Sequence, residues 1–235
     1  MKTIIFAGPP TSGKTTVIKQ CIKRLLIKKY TLAFLKIDVQ YAEEDIEIAQ
    51  EFNIPVKKVY SGEICPDHVN VLILDEAIEW ANNLKADILF VETAGLCLRC
   101  SPYIVDSLGI SVIESTSGIN LPKKIGPILS LSDIAIVTKI DLISQAEREV
   151  FRSRLQNTAK HVKILEVNAL YGIGIDPLLQ AIKDSKDIIF PLELSLRGNP
   201  PVGTCTICIG KKNIGRKNHC GILRTLDSEL FYQGE

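Results

Sequence analysis

No charge of one sign dominates this chain. Its 28 lysines and arginines face 27 aspartates and glutamates over 235 residues, which leaves no electrostatic footprint for nucleic acid. Long hydrophobic runs are also missing. The longest, such as Ile88-Leu89-Phe90-Val91, are strand-sized and fall far short of the roughly 20 apolar residues of a membrane-spanning helix. No secretory leader is expected either, since the first residues read as the first strand of a fold. Nucleic acid and membrane are therefore not expected partners, and the expected compartment is the cytoplasm, where thiols stay reduced. Disulfides then do not explain seven cysteines, at positions 21, 65, 97, 100, 205, 208 and 220. Six of the seven lie close to another metal-capable residue, which points to metal chemistry, while Cys21 and His161 read as structural.

What is present is organised around Gly8-Pro9-Pro10-Thr11-Ser12-Gly13-Lys14-Thr15-Thr16. The apolar run from Thr3 to Ala7 reads as a buried strand, and apolar residues recur at helical spacing from Val17 to Leu26. Strand, glycine-bounded loop and helix form the one context in which G-x-x-x-x-G-K-[ST] has a mechanism, since loop N–H groups and the positive helix end converge on nucleotide phosphates. The expected contacts are Gly8, Thr11, Ser12, Gly13, Lys14, Thr15 and Thr16. Lys14 reaches the β and γ phosphates as a point charge, and the Thr15 hydroxyl takes a position on Mg²⁺. A Gly-rich turn before an ordinary helix is the plainer alternative.

A second strand, Thr31 to Ile37, ends at Asp38, where a carboxylate is placed to hold Mg²⁺ or its waters; a turn or cap residue would look the same. Tyr41 to Phe52 is acidic and loosely helical, and Pro55 to Tyr60 reads as a short strand or extended link. A loop follows, Ser61 to His68, before a helix from Val71 to Leu84. Cys65 and His68 sit three apart around a proline-fixed turn, a thiolate and an imidazole suited to Zn²⁺, Ni²⁺ or a similar ion. The strand Ala86 to Val91 then delivers Glu92-Thr93-Ala94-Gly95, followed at once by Cys97 and Cys100. An acidic strand end with a glycine three residues on is how many nucleotide hydrolases sense the γ-phosphate. A C-x-x-C directly after Gly95 would move with it, which would link nucleotide state to a metal or cluster site; a redox dithiol or structural thiols are the alternatives.

Tyr103 to Asn120 reads as a strand pair or a strand with irregular flanks, and Pro122 to Leu131 as a loop and short helix. The continuous apolar run Asp133 to Val137 suits the middle of a parallel sheet and leads into Thr138-Lys139-Ile140-Asp141. This segment resembles the guanine-reading N-K-x-D motif of GTPases, with Thr138 in place of Asn. Asp141 would accept from the guanine N1 and N2 groups, and the Lys139 stem would cover the base. Val162 to Val167 leads into Asn168-Ala169, which match the loop that contacts the guanine carbonyl, with Asn168 where Ser is usual. A helix from Pro177 to Lys183 closes the unit. Five strands alternating with helices give an α/β fold, a doubly wound, mainly parallel sheet flanked by helices, with each candidate nucleotide residue at a strand's carboxyl end.

With these residues assembled, the chain resembles the metal-centre-assembly branch of P-loop GTPases, most closely the nickel-insertion GTPases that mature hydrogenase and urease. The resemblance rests on Gly8 to Thr16, Asp38, Cys65-Pro66-Asp67-His68, Glu92 to Gly95, Thr138 to Asp141 and Asn168-Ala169. It implies GTP and Mg²⁺ as cofactors, with Lys14, Asp38 and Glu92 as the catalytic set and Thr15 and Asp38 at Mg²⁺. It further implies a transition metal at Cys65, His68 and Cys97 or Cys100 between two protomers, GTP-driven dimerisation, and a client metalloenzyme or its maturation factors as partner. Two features depart from the pattern: Pro66-Asp67 splits the cysteine–histidine pair, and two cysteines follow Gly95.

The expected division is a P-loop GTPase domain over residues 1–188 and a Cys-rich tail over residues 189–235. The tail opens on a linker containing Pro191, Pro200 and Pro201, and carries Cys205, Cys208 and Cys220, whose spacing suits a Zn²⁺ knuckle or a 4Fe-4S cluster. Too short for its own core, the tail is expected to need a metal to hold its shape. The functional expectation is a GTP-hydrolysing metallochaperone that delivers nickel or zinc. The alternative is a nucleotide-gated iron–sulfur cluster carrier or electron-transfer protein.

Overall fold

Strands that are apolar on both faces must be covered on both faces, and the chain meets that demand with one central sheet. The computed structural model describes residues 1–40, 43–95, 100–189, 193–199, 212–219, 221–226 and 230–233. In chain order the first elements are β1 (Lys2–Ala7), α1 (Lys14–Ile27), β2 (Leu32–Asp38), α2 (Glu44–Phe52), β3 (Val56–Tyr60), α3 (Pro66–Leu72), α4 (Leu74–Asn83) and β4 (Ile88–Glu92). Then come β5 (Leu108–Glu114), α5 (Leu121–Lys124), α6 (Gly126–Ser130), β6 (Ile134–Thr138), α7 (Gln145–Thr158), β7 (Lys163–Glu166) and α8 (Asp176–Asp184). A hairpin of β8 (Gly221–Arg224) and β9 (Leu230–Gln233) follows.

The main sheet has seven strands in the order β3-β2-β4-β1-β5-β6-β7, all parallel. Along β1, Ile4 and Phe6 join the core under α1 and α8, whereas Ile5 and Ala7 join the opposite core under α3 and α4. A third cluster packs Phe151 and Leu155 of α7 on Ile113 and Val137. The crossover after β1 runs towards β2 and the one after its neighbour β5 runs towards β6, in opposite directions. The carboxyl end of β1 is therefore the switch point at which such sheets open a crevice.

Several expectations are corrected. The expected doubly wound, mainly parallel sheet is present, but with seven strands rather than five, all of them parallel among the described residues. The single helix expected from Val71 to Leu84 is two, α3 and α4, and the first begins at Pro66 with Cys65 as its N-cap, where the proline's missing N–H and fixed φ suit a helix start. Of the two readings of Tyr103 to Asn120, the single strand with irregular flanks holds: β5, followed by a 3₁₀ turn at Ser115–Ser117. The polar helix α7 went unread in sequence, although Ser144 and Glu147 form a reciprocal capping box at its start.

The described part of the tail is not held apart from the domain. Ile188, Leu194, Leu196 and Leu226 are buried in the core beneath α3 and α4, and Leu196 N–H donates to the Lys212 carbonyl at 2.9 Å. Arg197 pins this strap, donating to the carbonyls of Ile104 at 3.2 Å and Leu131 at 3.1 Å, to the Ser107 carbonyl, and to Asp133 Oδ2 at 2.7 Å. Packing against the α/β domain thus holds the described part of the tail. Arg197→Ala should destabilise the protein by about 2 kcal/mol, as expected for charge-assisted bonds to half-buried acceptors, read as a lower denaturant midpoint at unchanged slope.

Candidate functional site

At the end of β1 the chain enters a tight loop through Gly8, Thr11 (φ 60°) and Gly13 (φ 88°) before α1 begins. A Cβ on Gly8 would lie 2.1 Å from the Val112 carbonyl oxygen, so only glycine fits the approach to β5. Lys14 folds over its own loop, its Nζ donating to the carbonyls of Gly8 at 3.1 Å and Pro9 at 3.0 Å. Burial lowers the Lys14 pKa, and the Glu92 charge opposes that only in part. Thr138, at the end of β6, donates to the Ser12 carbonyl at 2.6 Å and so buttresses the loop from beneath.

Beside Lys14, Thr15 Oγ1 donates to both carboxylate oxygens of Glu92, at 2.9 and 3.0 Å. Glu92 is almost fully buried. Its countercharge is Lys36, a residue the sequence analysis overlooked: Nζ lies 2.8 Å from Glu92 Oε1, 3.4 Å from Asp38 Oδ2 and 3.7 Å from Glu44 Oε1. Lys36 is only 4% exposed. Burial alone would lower its pKa, but Glu92 foremost, with Glu44 and Asp38, raises it above the ordinary lysine value. The sequence signal was a lone lysine on the inward-facing pattern of an otherwise apolar strand.

Gly95 presses on the phosphate loop, for a Cβ there would sit 2.1 Å from the Gly8 carbonyl oxygen. Gly95→Ala should push the two loops apart at a cost of about 1–3 kcal/mol, which, taken from nucleotide binding, is roughly 5- to 150-fold in affinity. Titration with a fluorescent nucleotide checks this; an unchanged affinity would mean that the loops separate freely.

The same segment is tied to α3. Asn70, buried, donates through Nδ2 to the Ala94 carbonyl and accepts from the Ala94 N–H, both at 2.9 Å. Two residues before Asn70 on that helix stands His68, buried and with its pKa pushed down to about 4 by burial first and by His219 second. The His219 ring lies 4.7 Å from that of His68, centroid to centroid. Cys65 caps α3, half-buried, and Asp67 Oδ2 accepts from the Cys100 N–H at 3.4 Å. Cys65, His68 and Cys100 thus share one corner, yet among the described residues no three His, Cys, Asp or Glu side chains converge on a point as a metal cage. Cys97, Cys205, Cys208 and Cys220 lie outside the described residues. Neither the C-x-x-C site nor the tail's zinc or iron–sulfur site is therefore described.

On the base side, Lys139 is in the left-handed region (φ 55°) and its ammonium pairs with Glu114. Asp141 is exposed in the 3₁₀ turn that follows. Asn168 Oδ1 accepts from the Tyr171 N–H at 3.3 Å, and Gln20 of α1 donates to the Ala169 carbonyl at 2.8 Å, which fixes this loop beside the first helix. A cleft of about 530 Å³ opens between the phosphate loop and the ends of β2 and β4, lined by Lys14, Thr15, Lys19, Lys36, Asp38 and Glu92 among others. Its size falls within the range of small-ligand sites. Hydroxyl and carboxylate oxygens at Thr15, Glu92 and Asp38 are the donor chemistry a Mg²⁺ takes.

A phosphate-cradling loop at the switch point of a parallel sheet, with a buried carboxylate at the adjacent strand end, defines a P-loop nucleotide-binding protein. The model of the CobW/HypB/UreG nucleotide-binding domain matches residues 2–166, and the chain belongs to that family. A protein of Methanocaldococcus jannaschii titled uncharacterized is 44% identical over 235 residues, 100% of both chains. Among solved structures, the hydrogenase maturation factor HypB of Archaeoglobus fulgidus is similar with a TM-score of 0.61 at 18% identity, covering 78% of this chain and 89% of that one. HypB of Helicobacter pylori in complex with nickel gives 0.64 at 14% identity, covering 80% and 91%. At such identities these structures bear on the fold. No described helix is long and apolar enough to cross a membrane.

Proposed function

We propose that this protein is a GTP-hydrolysing metallochaperone in which nucleotide state controls a transition-metal site, with nickel or zinc as cargo and a metalloenzyme or its maturation factors as client. The observation that carries this reading is Asn70, whose paired hydrogen bonds join the E-x-x-G loop of the nucleotide site to the helix that bears His68. In the family's P-loop arrangement, Lys14 exchanges its two carbonyl partners for β and γ phosphate oxygens. Thr15, Glu92 and Asp38 are the residues that would hold Mg²⁺, which would neutralise phosphate charge when bound. Asp141, exposed and unencumbered by the loop it follows, accepts from guanine. Gly95, against Gly8, is the point at which a γ-phosphate is felt, and Asn70 transmits its displacement to α3. A HypB structure holding nickel supports nickel as one candidate cargo, and a nucleotide-dependent homodimer is the assembly in which release would occur.

Metal titration of the wild type with and without GTP, beside Cys65→Ser and Cys97→Ser and with sedimentation to follow dimerisation, tests the reading. GTP should change metal affinity and metal should change GTP affinity by the same factor, since coupling between binding sites is reciprocal. Equal metal affinity in every nucleotide state would sink it.

A further inference from the structure

The C-terminal segment returns a second imidazole to the domain's metal corner. We propose that His219 is a ligand, with His68, of the transition-metal site that Cys65 begins, so that the tail completes this site within one chain. The inference rests on the reading of Cys65 and His68 given under Proposed function.

Three observations carry it. The two rings are in contact, 4.7 Å between centroids with their planes tilted by 46°, and both Nε2 atoms are shut off from solvent. The approach is built rather than casual, because the chain is clamped on both sides of His219. Ahead of it, Gly215 (φ 99°) fits closely against Asp75, and the Arg216 N–H donates to Asp75 Oδ2 at 2.9 Å. The Arg216 guanidinium donates to Glu79 at 3.1 Å and lies 3.5 Å from Asp75. Beyond it, the Leu226 N–H donates to Glu76 Oε2 at 2.9 Å while the Leu226 side chain is buried. All three carboxylates belong to α4, the helix directly after the one that carries His68. Finally, the chemistry agrees: two imidazoles and a nearby thiol are a borderline-soft donor set, which takes Zn²⁺, Ni²⁺ or Co²⁺ in preference to Mg²⁺ or Ca²⁺. Aromatic packing alone would serve equally well with a phenyl ring, and that difference is what the experiment uses.

The test is a chelator-competition titration of the full chain with Zn²⁺ alone, repeated with Co²⁺ to read the ligand set from its visible absorption. His68→Ala, His219→Ala and His219→Phe should each weaken Zn²⁺ binding by at least ~10-fold, the scale on which even indirect partners of a ligand act, and each should shift the Co²⁺ bands. His219→Phe keeps a ring against His68 and removes the nitrogens, so its loss cannot be assigned to an undocked tail. Arg216→Ala, which keeps the imidazole and releases its tether, should weaken binding by a smaller factor. By reciprocity, saturating Zn²⁺ should slow proteolysis of residues 212–226 in the wild type and not in His219→Phe. If His219→Phe binds Zn²⁺ like the wild type while His68→Ala and Cys65→Ser are weakened, the inference is overturned and the proposed function stands. If none of these variants is weakened, both fail.

Discussion

Lys36→Met is expected to strip about 3–5 kcal/mol from the stability of the nucleotide-free protein, the cost of breaking a buried ion pair by removing one partner. The ammonium faces Glu92, Asp38 and Glu44 within 4 Å, and Glu92 is almost fully buried. A methionine fills the same space and leaves three carboxylates to repel one another. Without nucleotide, Lys36 therefore does the neutralising that Mg²⁺ is proposed to do with it, so the variant should regain most of the loss when Mg²⁺ and GTP are added. Urea unfolding with and without the two ligands measures both quantities. A variant as stable as the wild type without ligands would show that Lys36 neutralises nothing of consequence.

Asn70→Ala should give the second large effect. Two hydrogen bonds to Ala94 disappear and leave a buried N–H and a buried carbonyl to bear their desolvation, so stability should fall by about 2–4 kcal/mol. The more telling readout is coupling. In the wild type a non-hydrolysable GTP analogue should alter Zn²⁺ affinity by a factor in the 5- to 150-fold range usual for linked sites. In Asn70→Ala that factor should fall towards one while each ligand alone still binds. A variant that keeps the wild-type factor would place the route between the sites elsewhere.

The parts of the site that could be read in sequence are those written in short, contiguous signals. The loop from Gly8 to Thr16 and the acidic ends of β2 and β4 each announce themselves by an apolar run that stops at a polar residue. Residues whose role depends on a partner far along the chain gave no such signal. Nothing near Lys36 predicts Glu92, nothing near Asn70 predicts Ala94, and the meeting of His68 with His219 depends on a strap and clamp that only packing defines. Thr138 shows the same limit from the other direction. Nothing in the T-K-x-D segment predicts that its hydroxyl bonds to the Ser12 carbonyl. The helix start at Pro66 is legible in principle from the proline rule, but the Cys65–His68 spacing reads equally as a ligand-bearing loop.

The pairing of Lys36 with Glu92 also bears on how the sheet finds its alignment. The two are direct partners in the β2–β4 ladder, and on both strands they continue the face that carries Phe34 and Phe90. Parallel apolar strands offer few cues to their correct offset, since one valine or isoleucine replaces another at little cost. A slip of one residue in β2 would turn the ammonium to the opposite face of the sheet, beside Leu89 and Val91 of β4, and bury its charge without a counterion. The pair thus acts as a proofreading mark for strand alignment, penalising misaligned sheets before any nucleotide has bound.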